Sequence, residues 1–129
     1  MPEPRHDEFQ YTVLRVVPHV ERGECVNAGV VLFCRRRGFL AARVGLDERR
    51  LAALAPDVDA EGVRRHLDEL ARIAAGEPDA GPIAALPQSE RFHWLAAPSS
   101  TVVQPSPVHT GFCDDPGQML EHLFERLVA

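Results

Sequence analysis

An α+β fold is predicted for this 129-residue chain by three features. Three β-rich runs follow one another through short turns that end in glycine. Two capped helical segments come next, and an amphipathic helix closes the chain. Together they predict a three-stranded antiparallel meander at the N-terminus plus a short later strand, packed against two or three helices.

The first run, residues 9–20, is rich in β-branched and aromatic residues and reads as a strand. Glu21-Arg22-Gly23 separates it from a second run, 24–35, and Arg36-Arg37-Gly38 separates that from a third, 39–45. Three-residue connections ending in glycine predict hairpins closed by a type I turn and a left-handed residue. Those turns set a register in which Val16 faces Ala28, Leu14 faces Val30, Leu32 faces Ala42 and Val30 faces Val44. The even-numbered residues Leu14, Val16, Val26, Ala28, Val30, Leu32, Cys34, Leu40 and Val44 then share one apolar face.

Asp47 is placed to cap a short helix ending at Leu54, before Pro56. Asp59 is placed to cap a longer one, with Val63, Leu67, Leu70, Ile73 and Ala74 at helical spacing and Gly76 as its stop. Residues 76–89 read as loop, Ser89 as the cap of a brief helix over 90–96, where Phe92 and Trp94 also suit a strand, and Thr101–Gln104 as an edge strand stopped by Pro105 and Pro107. Asp115-Pro116-Gly117-Gln118 opens the last helix, whose stripe is Leu120, Leu123, Phe124 and Leu127. One domain over residues 1–129 is expected, with 1–8 a flexible tail.

Composition narrows the function classes. The charged start lacks a signal-peptide core, and no apolar run approaches the ~18 residues that span a bilayer. Three cysteines, Cys25, Cys34 and Cys113, form no disulfide framework, so a cytoplasmic protein is expected. A formal charge of −5 supplies no general attraction for nucleic acid.

The odd-numbered face of the meander is the candidate binding face. It carries Arg15 and His19 on the first strand, Asn27 and Gly29 on the second, and Arg43 on the third. Gly29 in mid-strand suggests close approach by a ligand or another backbone. Arg15 and Arg43 flank it with planar forks suited to carboxylate or phosphate. The competing reading is a helix over this face, with both arginines paired to helix acids such as Asp68 or Glu69. Other constellations are thinner. His19 with Cys25 has no third orienting residue, and Ser106, His109 and Asp114 lack the glycine pattern of a nucleophile elbow. His66-x-x-Glu69 and His122-x-x-Glu125 read as solvated helix surface, and Arg35-Arg36-Arg37 as a solvated hairpin tip. No cofactor motif is present.

Two segments carry a resemblance. One is Val-Pro-x-x-Glu-Arg-Gly-Glu-x-x-Asn-x-Gly-Val-Val-Leu-Phe, within Tyr11 to Cys34. The other ends Thr101-Val-Val-Gln-Pro-Ser-Pro-Val-His-Thr-Gly111. Together they resemble the bacterial domain-of-unknown-function family numbered 3037, over essentially the whole chain. The resemblance brings no activity or cofactor. It implies a shared structural or binding feature at Glu24, Asn27, Gly29, Ser106, Pro107, His109 and Thr110. It also implies a context beside a HipA-type kinase-like protein, and thus a small accessory or antitoxin-like subunit. The sequence leaves three readings open: a module binding such a protein partner, a small anion- or nucleotide-binding protein using Arg15, Asn27 and Arg43, and, ranked last, an enzyme. A homodimer is compatible with each.

Overall fold

The structure, a computed structural model, describes residues 6–99 and 101–129. Its elements run β1 (Asp7–Val16), β2 (Val26–Cys34), β3 (Phe39–Val44), α1 (Glu48–Leu54), α2 (Ala60–Ala75), α3 (Gln88–Leu95), β4 (Val103–Pro105), β5 (His109–Cys113) and α4 (Pro116–Leu127). The strands form one antiparallel sheet in the order β3-β2-β1, and β4 and β5 share the far side of β1. The α+β class, the meander and the C-terminal helix are as the sequence predicts. The expected tail proves shorter, because Asp7 and Glu8 already pair with Cys113 and Phe112; residues 1–5 of that tail lie outside the described residues.

The helices begin and end where their side chains satisfy the terminal backbone groups. The Asp47 carboxylate accepts from the N–H groups of Arg49 and Arg50, Asp59 from Gly62, and Asp115 from Gln118. Gly76 closes α2 in the left-handed region, as expected. Helix α3 departs from expectation. It starts at Gln88 after Pro87, with no side-chain cap, so Ser89 lies inside it. Strand β5 was not foreseen. Its alternation is short, and Gly111 in the middle is accepted only because Phe9 of β1 packs where a Cβ would stand.

The predicted register is overturned in both hairpins, for different reasons. Gly38 does adopt the left-handed conformation (φ 58°), but Arg35 joins the turn, so Cys34 rather than Arg35 is opposite Phe39. That single extra residue moves every β3 side chain to the other face relative to β2. In the first hairpin β1 ends at Val16, and Val17 N–H donates to Val102 O (2.6 Å) instead of to β2. Residues 17–25 thus form a long connection, in which Gly23 is left-handed as expected (φ 72°). An extra residue, Ala28, shifts the ladder between Leu14↔Gly29 and Arg15↔Asn27.

The expected single apolar face is therefore two half-faces. Leu14, Val16, Val31, Phe33 and Leu40 pack under α2 and α3 with Leu67, Leu70 and Phe92. Val30, Leu32 and Cys34 pack on the opposite side with Phe9, Leu120 and Phe124 of α4. β2 is buried on both sides from Ala28 to Cys34. A doubly buried strand shows no alternation to read.

The start of β1 is held by charge. The side chain of Asp7, 3% exposed, accepts from Arg37 Nε at 2.5 Å, while Arg37 Nη2 donates to Asp114 O at 2.6 Å. The hydrogen bond to Asp7 raises the Arg37 guanidinium above its ordinary value. The arginine run at the hairpin tip is thus partly structural.

Candidate functional site

The two sequence segments meet on β1, which runs between β2 on one side and β4 with β5 on the other. The register joining β1 to β4 differs by one from that joining it to β5, so residues 106–108 absorb an extra residue. Ser106 repairs the ladder there. Its N–H donates to Val13 O (2.8 Å), and its Oγ accepts from Val13 N–H (2.8 Å) where a main-chain carbonyl would otherwise stand. Thr12 Oγ1 donates to Ser106 O at 2.7 Å. Both polar side chains are buried and satisfied. Pro107 has no N–H to leave unpaired at the irregularity. Ser106 and Pro107 thus hold a bulge.

The other singled-out residues divide. Asn27 lies under the end of α4, where its Nδ2 donates to Leu127 O at 3.0 Å. Gly29 faces the opposite side of the sheet. A Cβ there would sit 3.0 Å from Val44 Cγ1 and 3.2 Å from Arg43 O, so the glycine serves packing of β3 on β2. Glu24 pairs with Arg22 at 2.5 Å in the long connection, and His19 Nδ1 lies 3.9 Å from Glu21. His19 lines a hollow against Ala55–Val58, whereas Cys25 lines a different one near Leu127. Thr110 stands opposite Gln10 and is exposed.

Arg43 does not join Arg15. It belongs to β3, two strands and therefore ~10 Å away. There it packs 4.4 Å over the Phe124 ring and pairs with Glu121 at 3.2 Å. A helix does cover this face, but it is α4, and the acid is Glu121 rather than Asp68 or Glu69.

What remains is a strip of sheet beside α4. Arg15 stands directly between Asn27 of β2 and Gln104 of β4, its cross-strand neighbours. Further along the same face of β1, Tyr11 packs against His109 of β5, ring centroids 5.1 Å apart. The Arg15 Nε is buried and has no hydrogen-bond partner, and no described acid lies within ion-pair distance of this side chain. A half-buried guanidinium with no ion-pair partner among the described residues is suited to a carboxylate or phosphate from outside the chain.

Sequence reasoning places Tyr11 on this face but misses two residues around the strip. Gln104 is signalled only by the β4 register. Arg50 reaches the same end of the sheet from α1, donating to Val128 O at 3.4 Å. With Cys25, Asn27 and Leu127 it lines an open hollow of about 520 Å³. Nothing in the local sequence announces that α1 ends there.

No curated protein and no solved structure matches the chain. A family model described as "Protein of unknown function (DUF3037)" matches residues 11–128. That span includes both the bulge-holding segment and the β1–β2 segment that frame Arg15, and with it the chain belongs to the DUF3037 family.

Proposed function

We propose that the protein is a small interaction module that binds a protein partner through the strip beside α4, with Arg15 receiving an acidic side chain of that partner. The observation that carries this reading is the Arg15 guanidinium, half-buried on a sheet face with its Nε unpartnered. An unmatched buried donor costs about 1–3 kcal/mol, and a partner carboxylate approaching the half-buried guanidinium offsets part of that through its charge. Tyr11 and His109 extend the strip with aromatic surface of the kind enriched at interfaces. A HipA-type kinase-like protein is the first partner to test, because the family resemblance implies that context. A cytoplasmic setting fits this reading, and no helix of the described residues is long and apolar enough to cross a membrane.

The test is co-purification of the full chain from its native host at low salt, comparing wild type with Arg15→Glu. Loss of a stoichiometric partner in the variant, with an unchanged melting temperature, supports the reading. A partner retained equally by both proteins overturns the assigned face. Arg43→Glu serves as the contrasting variant. Its partners are Glu121 and Phe124, so it is expected to loosen α4 rather than to act on partner binding directly.

A second reading is favoured by the hollow between α1 and the end of α4. There Asn27 and Arg50, rather than Arg15, Asn27 and Arg43, would meet a small anion or nucleotide. A ligand at 100 times its dissociation constant adds about 2.7 kcal/mol of stability, so a thermal-shift panel of phosphates and nucleotides reads it directly. A flat panel counts against it.

A further inference from the structure

The outer side of β5 is an open sheet edge. No described strand pairs with it, since β5 bonds only to β1. Val13 directs both its N–H and its C=O toward Ser106 on this side of β1. By alternation along an antiparallel ladder, Tyr11, Phe9 and Asp7 do the same toward His109, Gly111 and Cys113. The main-chain groups of Val108, Thr110 and Phe112 therefore point outward.

The side chains of this edge are unusual for one left in water. Residues 108–113, Val-His-Thr-Gly-Phe-Cys, carry no formal charge. The opposite edge strand, β3, carries Arg43 and follows the arginine-rich turn. Open edges are normally guarded by charge, proline or a covering element. Here Pro105 and Pro107 lie just before the open stretch and limit strand addition to residues 108–113. Phe112 is 63% exposed and Val108 41%, and Trp94 of α3, 44% exposed, lines a groove together with Val108.

We infer that this edge pairs with the same edge of a second copy, in an antiparallel arrangement with its two-fold axis at Thr110. Two requirements are met together at that axis. The residues whose main-chain groups point outward, 108, 110 and 112, become bonded pairs: Thr110 with Thr110 of the partner, and Val108 with Phe112 of the partner, twice. The same axis sets each exposed Phe112 against a β-branched Val108, a favourable cross-strand pair. An axis at Gly111 would also form hydrogen bonds but would set Phe112 against the hydroxyl-bearing Thr110 and leave the exposed Val108 without an apolar partner. A self-complementary patch is what a closed two-fold interface requires. The partner is therefore a second copy of this chain, joined into one continuous sheet.

Sedimentation velocity of the full chain, from sub-micromolar to about 100 µM, tests the inference over the range where a micromolar interface dissociates. The expected species has twice the 14.3 kDa chain mass. Phe112→Lys and Thr110→Pro should each weaken the dimer at least tenfold. Phe112 is exposed in the monomer, and the Thr110 N–H is not used by β1, so the melting temperature of the dilute monomer should hold. A chain that stays monomeric throughout overturns the proposal. So does a dimer indifferent to both variants. Should Thr110→Pro fail to fold, Phe112→Lys alone decides.

Discussion

The face under α2 and α3 carries about twice as many buried side chains, among the described residues, as the face under α4. The first extends from β3 across β1 to Val103 of β4 and includes contributions from α1, α2 and α3. The second is completed by one helix lying over β2 and β3, which leaves Arg15, Gln104 and His109 to the side and Tyr11 at its margin. One face is a core in the ordinary sense. The other is half core and half available surface, and Arg15, with its unpartnered Nε, lies on the uncovered half. The difference lies in how many helices the chain supplies to each side, since a sheet of this width needs at least two helices to cover a face.

The largest expected effect probes the heavier face. Leu67→Ala should lower the unfolding free energy by about 2–5 kcal/mol, and Leu120→Ala under α4 should fall at the low end of that range. Urea denaturation of both variants measures the contrast. Equal losses would mean that the two faces are equivalent halves of one core.

The next effect concerns the seam between β1 and the β4–β5 edge. Ser106→Ala should cost about 1–3 kcal/mol, because it strips the Val13 N–H of its buried acceptor. A loss within experimental error would show that the bulge holds without the hydroxyl. Asn27→Ala is smaller, at about 0.5–1.5 kcal/mol, since the carbonyl of Leu127 lies at a helix end where water can take the place of the lost donor. Hydrogen exchange would place that loss in the last turn of α4 if the comparison of faces is correct.

The mildest test is chemical. Cys25 is exposed, while Cys34 and Cys113 are buried under α4. Burial raises the Cys113 thiol above its ordinary value, so thiolate, the reactive form, is scarce at neutral pH. A thiol reagent at pH 7 should therefore label Cys25 quickly and the other two only on unfolding. The sign follows from the shift. Folding favours the protonated thiol, so its contribution to stability is complete below the unfolded pKa and is lost as pH rises through the higher folded value. Rapid native labelling of Cys34 or Cys113 would mean that α4 opens readily, and the lighter face would then be weaker than its packing implies.

Parts of this picture are legible in the sequence because they are local. Asp47, Asp59 and Asp115 each cap a helix within three residues of themselves, and Gly23 and Gly38 take the left-handed conformation their turns demand. The apolar stripes of α2 and α4 point inward as their spacing requires. The candidate site was legible only in fragments. Arg15 and Asn27 are neighbours, His109 reaches the same strip, and Arg43 shares that face two strands away under α4, but Gly29 turns to the other face because one added residue in β2 reverses it.

The sequence by itself determined the α+β class, the helix boundaries set by capping, and the identity of most buried residues, because each depends on chemistry within a few positions. Tertiary structure alone decided which side of the sheet each buried residue of β2 occupies, which helix covers Arg43, and that β5 exists as an edge. Those outcomes turn on pairing between segments up to a hundred residues apart, as in the bond from Asn27 to Leu127. A strand apolar on both faces gives no local sign of which neighbour it will meet.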